Sequence, residues 1–333
     1  MAAEQDTPVL EVSDLRTEVR SRTARGTAVD GISFTVHRGE TLGLMGESGS
    51  GKTLAALSVI GLCPQPAAGI VGGSVRLNGS ELVGMPRKQL NRLRGNEIAM
   101  IFQDPLTALH PALTVGTQLA RVLRTKAGLR TADVHRRQRE LLRELQIPDP
   151  EQKLRAYPHQ LSGGTRQRIV GAIALAAAPR LLIADEPTTS LDVTVQAAYL
   201  AMLRAQQRRR GLAMLFITHD FGVAARICDR IAVMYRGQIV EEDTVGNLLT
   251  APDHPYSRAL LDSADQVADR DGPGLTTIPG EPPSVFARQS GCRFAERCPA
   301  AESRCVRHEP PVVPKRSGSG YTRCWLGADD DNA

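Results

Sequence analysis

Gly46, Glu47, Ser48, Gly49, Ser50, Gly51, Lys52 and Thr53 follow a short apolar run that begins at Leu42. Residues of these types in this order can cradle a polyphosphate between a buried strand and a helix. Glycines let the backbone turn tightly and aim several N–H groups at one anion, where a Cβ would obstruct the approach. Lys52 brings a mobile positive charge to the outer phosphates, Thr53 offers a hydroxyl to Mg²⁺, and a helix starting there adds the positive end of its dipole. The chemistry points to a nucleoside triphosphate held by Gly46, Ser48, Gly49, Ser50, Gly51, Lys52 and Thr53. Chance alone would produce such a pattern in about one or two of every hundred chains this long, so the loop needs company.

It has company downstream. Leu181, Leu182, Ile183 and Ala184 read as a wholly apolar strand, and Asp185 and Glu186 stand at its C-terminal end, where α/β sheets place their ligands. Adjacent acids are otherwise usually surface charge; a buried strand leading into them argues for a site. Gln103 follows a second core strand, Glu97 to Phe102, and His219 follows a third, Ala213 to Thr218. Ser162, Gly163 and Gly164 precede an Ala-rich helix from Thr165 to Ala178. Alone, those three would pass for a helix cap.

Other elements must hold these residues. Leu10 to Val19 and Ala28 to His37 alternate apolar and polar residues, as the half-buried strands of a small antiparallel sheet do. Lys52 to Ile60 reads as helix, Gly73 to Asn78 as strand and Arg87 to Arg94 as a polar helix. From Thr114 to about Pro158 come amphipathic, arginine-rich helices without a strand. A helix from Val193 to Arg210, strands Ile231 to Tyr235 and Gln238 to Glu242, and a helix Val245 to Thr250 close the pattern. Asp271 to Ser284 is rich in Gly and Pro and reads as a linker or ordered loop. An acidic tail, Asp329 to Asp331, follows at the end.

The chain has 333 residues, enough for a full α/β core with an appendix. Its net charge of +5 raises anionic partners, yet the basic clusters His135 to Arg139 and Arg208 to Arg210 lie on predicted helices and read as solvated faces. Aromatic residues make up only 4%, which disfavours base-stacking platforms for single-stranded nucleic acid. No stretch approaches the roughly 20 apolar residues that cross a bilayer. The opening residues carry no basic segment leading into an apolar run, so a cytoplasmic location is expected.

Taken together, the motifs resemble those of the ATP-binding subunits of ABC transporters: the phosphate loop, Gln103, Leu161 to Gly164, Asp185 with Glu186, then Ser190, Leu191 and Asp192, and finally His219. The wording MIFQDPLTALHP (Met100 to Pro111), IADEPTTSLDVTVQA (Ile183 to Ala197) and HPYSRALL (His254 to Leu261) resembles the peptide and nickel importer branch, as do SGCRFAERCP (Ser290 to Pro299) and RCW (Arg323 to Trp325). The resemblance implies an α/β fold: a P-loop ATPase core of RecA-like type with an antiparallel β subdomain, a helical insertion at about 104–160 and a small Cys-rich C-terminal extension. The expected division is 1–250 for the ATP-binding domain and 251–333 for the extension and acidic tail.

The same resemblance assigns roles. Two subunits stack head to tail, each ATP lying between the loop of one and Ser162, Gly163 and Gly164 of the other. Asp185 helps hold Mg²⁺ with Thr53 and Gln103, Glu186 activates the attacking water, His219 bonds the γ-phosphate, and Asp192 acts across the dimer. The family usually places an aromatic residue on the first strands to stack on adenine. Here the matching residues are Thr17, Glu18, Val19 and Arg20, with no aromatic before Phe34. Thr165 stands where many relatives have Gln.

Four of the six cysteines, Cys292, Cys298, Cys305 and Cys324, fall in a short segment with little apolar content. In a reducing compartment four thiolates suit an iron–sulfur cluster or structural zinc better than disulfides. The close pair usual for zinc is absent, and the spacing matches no standard ferredoxin run either; a [4Fe–4S] cluster is the preferred expectation, with zinc and no metal as the alternatives. Cys63 and Cys228 are isolated and read as packed residues.

The expected protein is the ATP-hydrolysing motor of a multi-subunit importer for di- or oligopeptides or related small solutes, on the cytoplasmic face of the membrane. Expected partners are a second ATPase subunit forming a heterodimer, two permease subunits and a separate solute-binding protein, with no nucleic acid. The alternatives are a soluble ABC ATPase acting on nucleic acid or ribosomes, and a regulatory ATPase that hydrolyses poorly; Glu186 and His219 oppose the latter. No residue identifies the cargo.

Overall fold

A computed structural model describes residues 7–104, 108–189, 191–268, 278–287, 290–315 and 318–328. Ser190, residues 271–277 of the expected linker and the tail Asp329 to Asp331 lie outside the described residues. The chain divides into two compact units. One comprises Met1–Leu10, Val36–Thr41 and Leu77–Phe216; the other comprises Glu11–Thr35, Leu42–Arg76 and Ile217–Ala333.

The first strands are β1 (Leu10–Arg20), β2 (Arg25–Val36), β3 (Thr41–Met45), β4 (Ala68–Leu77) and the short β5 (Ser80–Glu81). β1 lies between β2 and β4. The alternation of β1 and β2 is what one buried face demands: Leu10, Val12 and Leu15, like Val29, Ile32 and Phe34, are buried. By contrast every residue of β3 is buried, as befits a strand covered on both sides.

In the unit that contains Leu77–Phe216, β6 (Ile98–Ile101), β7 (Leu181–Asp185) and β8 (Ala213–Ile217) lie in the order β8, β7, β6. β6 and β7 run parallel, Ile98 facing Leu181 and Ile101 facing Ala184. The helices Val115–Thr125, Thr131–Glu144 and Pro150–Arg155 form the expected strand-free region. Leu119 and Leu123 meet the demand for an apolar stripe on the first, Leu141 and Leu142 on the second, and all four are buried. Glu144 ties the second to the helix Val193–Arg210, bonding Arg137 and Arg210 at 2.7 Å each.

The other unit adds β9 (Arg230–Tyr235), β10 (Gln238–Thr244), β11 (Val313–Pro314) and β12 (Tyr321–Thr322). Its larger sheet runs β11, β12, β10, β9, β3, with β3 parallel to β9 and β10 antiparallel to β12. The C-terminal segment therefore completes this sheet, which its composition alone did not indicate. The burial of three carboxylates on β10 explains how: Lys315, itself buried, bonds Glu241 at 2.5 Å and Asp243 at 3.2 Å. Burial works against the Lys315 ammonium, yet the bonds to Glu241 hold its pKa above the ordinary value.

Candidate nucleotide site

The phosphate loop leaves β3 at Met45, and its glycines are dictated by the surroundings. Gly46 and Gly51 adopt φ of 146° and 105°. A Cβ on Gly46 would stand 2.1 Å from the Met234 carbonyl oxygen, and one on Gly51 would stand 2.4 Å from that of Ala28. Gly49, at φ 79°, meets nothing within 4 Å; its glycine answers to backbone conformation and to whatever approaches from outside. Lys52 is buried, its Nζ donating to the carbonyls of Gly46 and Glu47 at 2.7 and 2.8 Å. Thr53 is exposed on the first turn of the helix Lys52–Val59. The Thr218 N–H donates to the Leu44 carbonyl, two residues before Gly46, which brings the exposed His219 to the end of β3 from which the loop departs.

In the other unit, the parallel register of β6 and β7 carries Gln103 and Glu186 to matching places beyond Ile101 and Ala184. Gln103 Nε2 donates to Glu186 Oε2 at 3.1 Å, and Thr189 Oγ1 donates to the same oxygen at 3.0 Å. Glu186 adopts a left-handed φ of 44°, a strained conformation of the kind that concentrates at functional sites. Asp185 ends β7 and is 2% exposed. A buried carboxylate beside a positioned one can share the work of holding a cation and orienting a water.

Ser162 caps the helix Gly163–Leu175, its hydroxyl accepting from the Thr165 N–H, and Asp192 caps Val193–Arg210 by accepting from Val195. Both caps line one cavity of about 340 Å³ together with Gly163 and Gly164. The two glycines differ. A Cβ on Gly164 would stand 2.5 Å from Val195 Cγ1, whereas one on Gly163 would meet nothing within 4 Å.

The four late cysteines line one pocket with His254 and Phe294. Gly291, at φ 75°, lets the chain press against the Cys305 carbonyl, where a Cβ would come within 2.2 Å. Burial raises the Cys292 thiol to about 11, and it also raises Cys298 and Cys324; Coulombic repulsion among the thiols adds to each. A bound cation would have to compensate both effects. Among the described residues no three His, Cys, Asp or Glu side chains are arranged to hold a metal ion. All six cysteines are free thiols.

A network that the sequence pattern did not single out joins this segment to the phosphate loop. Arg297, next to Cys298, clasps both carboxylate oxygens of Glu47 at 2.7 and 2.9 Å. The bond to Glu47 holds the Arg297 pKa above its ordinary range. The Glu47 N–H donates to the Tyr256 hydroxyl at 2.8 Å. Tyr235, Tyr256 and Phe294 pack beneath, with ring centroids 4.6 to 5.3 Å apart. Only family wording touched these residues, His254 to Leu261 for Tyr256 and Ser290 to Pro299 for Arg297; neither stretch singled them out.

A phosphate loop, a glycine-headed helix, and a strand ending in Asp185 and Glu186, in this order, define an ABC-type ATPase. The family model described as ABC transporter matches residues 29–189. A second, described as oligopeptide/dipeptide transporter, C-terminal region, matches residues 240–305. A probable peptide ABC transporter ATP-binding protein of Sinorhizobium fredii is 44% identical over 95% of this chain and 94% of its own length. The oligopeptide transport ATP-binding protein OppD of Salmonella typhimurium is 43% identical over 91% and 90%, and the dipeptide transport ATP-binding protein DppD of Bacillus subtilis is 42% identical over 96% and 94%. A dimeric ATP-binding cassette solved with ADP and Pi in a post-hydrolysis state shares the fold, with a TM-score of 0.64 at 24% identity over 71% of this chain and 98% of that one. The chain belongs to the ATP-binding proteins of peptide ABC transporters.

Proposed function

We propose that this chain is the ATP-hydrolysing motor of an ABC importer for di- or oligopeptides or related small solutes, working from the cytoplasmic face of the membrane. The observation that carries the reading is the pairing of Gln103 with a strained Glu186 at the ends of parallel strands, beside the buried Asp185. In this reading Gly46, Ser48, Gly49, Ser50, Gly51 and Lys52 grip the triphosphate, while Thr53, Asp185 and Gln103 hold Mg²⁺. Glu186 accepts the proton of the attacking water and His219 bonds the γ-phosphate. Ser162, Gly163, Gly164 and Asp192 serve the nucleotide of a second ATPase subunit in a heterodimer. The open approach to Gly163 supports that assignment, since small residues at a helix start admit a phosphate to backbone N–H groups.

No described helix is long and apolar enough to cross a membrane. The proposed transporter includes two permease subunits, with a separate solute-binding protein delivering cargo. Residues 1–250 form the proposed ATP-binding domain, and 251–333 the extension. Cys292, Cys298, Cys305 and Cys324 are the proposed ligands of a [4Fe–4S] cluster, zinc being the alternative; their meeting around one pocket supports this, and the group would serve to order the extension.

The test is co-purification of the chain with its permeases and measurement of ATP hydrolysis and peptide uptake in vesicles. Glu186→Gln should retain Mg–ATP and lose both activities. Unchanged uptake in that variant would overturn the reading, and iron and sulfide analysis of the same preparation tests the cluster.

A further inference from the structure

We propose that the base of the bound nucleotide stacks on Phe286, in a cavity walled by the C-terminal segment 281–287. The inference rests on the phosphate loop holding ATP and adds the residue that grips the other end of the nucleotide. The first strands offer no ring for this purpose: no aromatic residue precedes Phe34, and Phe34 is 5% exposed in the core. A nucleoside triphosphate anchored at the loop must nonetheless carry its base outward from the loop, beyond the α-phosphate and the ribose.

A cavity of about 600 Å³ lies there, lined by Ser48 and Gly49 on one side and by Arg25, Arg236 and Phe286 on others. Phe286 is 41% exposed, so part of an apolar ring stands open beside the phosphate loop. A flat, apolar-faced ligand would cover it. Its placement is built in. A Cβ on Gly26, at the start of β2, would stand 2.4 Å from the Val285 carbonyl oxygen and 3.1 Å from Phe286 Cδ1. Gly26 therefore leaves on the strand the room that the incoming segment fills.

The segment is also fixed relative to the loop. Arg236 Nη2 donates to the Ser284 carbonyl at 2.6 Å, and Arg293 donates to the Arg236 carbonyl while pairing with Asp30 on β2. The neighbouring Gly237 N–H donates to the Ser50 carbonyl at 2.8 Å. One turn thus holds both the phosphate loop and the segment bearing the ring. Pro282 and Pro283 restrict the backbone just ahead of it, and the Ala287 N–H closes a turn onto Ser284 at 3.0 Å.

The test titrates the full chain with Mg–ATP and with Mg–tripolyphosphate, which lacks base and sugar, in the unaltered protein and in Phe286→Ala, Phe286→Tyr and Lys52→Ala. Loss of one stacking ring should weaken ATP about tenfold, leave tripolyphosphate unchanged and be restored by tyrosine. Lys52→Ala should weaken both ligands. In parallel, the fluorescence of 2-aminopurine riboside triphosphate should be quenched on binding to the unaltered protein and not on binding to Phe286→Ala. Equal ATP affinity in Phe286→Ala, or an equal loss for tripolyphosphate, overturns the stacking proposal while the loop assignment stands. Undiminished binding of both ligands to Lys52→Ala overturns the loop assignment itself.

Discussion

Glu186 combines two features that a purely structural carboxylate would not need. Its backbone is left-handed at φ 44°, a conformation costing a non-glycine residue on the order of 1–3 kcal/mol. One of its carboxylate oxygens also takes bonds from both Gln103 and Thr189. The strain turns the side chain at the strand end, and the two donors fix where it points. Glutamine has the same shape but a far weaker base. Glu186→Gln should therefore lower ATP hydrolysis about 100-fold or more without weakening Mg–ATP binding, as read by phosphate release and calorimetry. Lys52→Ala removes a charge from the bound phosphates, so there the affinity itself should fall. A Glu186→Gln variant with near-normal turnover would place the base elsewhere.

At the scale of single elements, the helix Gly163–Leu175 separates internal packing from outward function. Gly164 is required by Val195, whereas Gly163 is required by nothing in the described chain. Gly164→Ala should lower Tm because the Cβ has no room. Gly163→Ala should leave Tm nearly unchanged yet depress hydrolysis by the assembled transporter, since in the proposed dimer the partner's nucleotide would meet that Cβ. Thermal melts of the isolated chain beside ATPase assays of the complex would show the contrast.

The helical region offers a pH prediction. Burial works to raise the Glu144 carboxyl, but the bonds from Arg137, together with the charge of Arg210, win and depress its pKa. A depressed carboxylate contributes stability that is present above its unfolded pKa, near 4.5, and is lost as pH falls through the folded value. Glu144→Gln should flatten the fall of Tm on that acid side, and acid-titrated melts would reveal it. Much at this scale was legible in the sequence. The helix Val193–Arg210 ends where Gly211 stops it, and the apolar run into Asp185 announces a doubly covered strand. β11 and β12 were not legible, since they exist through Lys315 neutralising carboxylates on β10 more than seventy positions away, and four residues carry no periodicity. The helix Pro255–Ala268 was seen only as family wording, His254 to Leu261.

At the scale of the whole molecule, the cysteine-bearing segment shares a unit with the phosphate loop and touches it through Arg297. That side chain is 4% exposed against 25% for Glu47, and its clasp is bidentate, the geometry in which a guanidinium constrains a carboxylate most. Glu47 lies between Gly46 and Ser48, so displacing it disturbs the backbone N–H groups meant for phosphate. Cys298 is bonded covalently to Arg297, and the Cys298 N–H caps the short turn Ala295–Arg297. Whatever fixes the thiol pocket thus fixes the clasp. Arg297→Gln should weaken Mg–ATP binding several-fold, because a bidentate ion pair becomes at best one bond from a neutral amide to the Glu47 carboxylate. Glu47→Gln should do much the same, and the double variant should be little worse than either, which is the non-additivity expected of two residues acting through one contact. Cys298→Ser should weaken ATP in the unaltered background and have little further effect in Arg297→Gln. Calorimetric Kd values for these variants decide the matter: additive losses, or an ATP affinity indifferent to Cys298, would reduce the extension to an appendage of the loop it contacts.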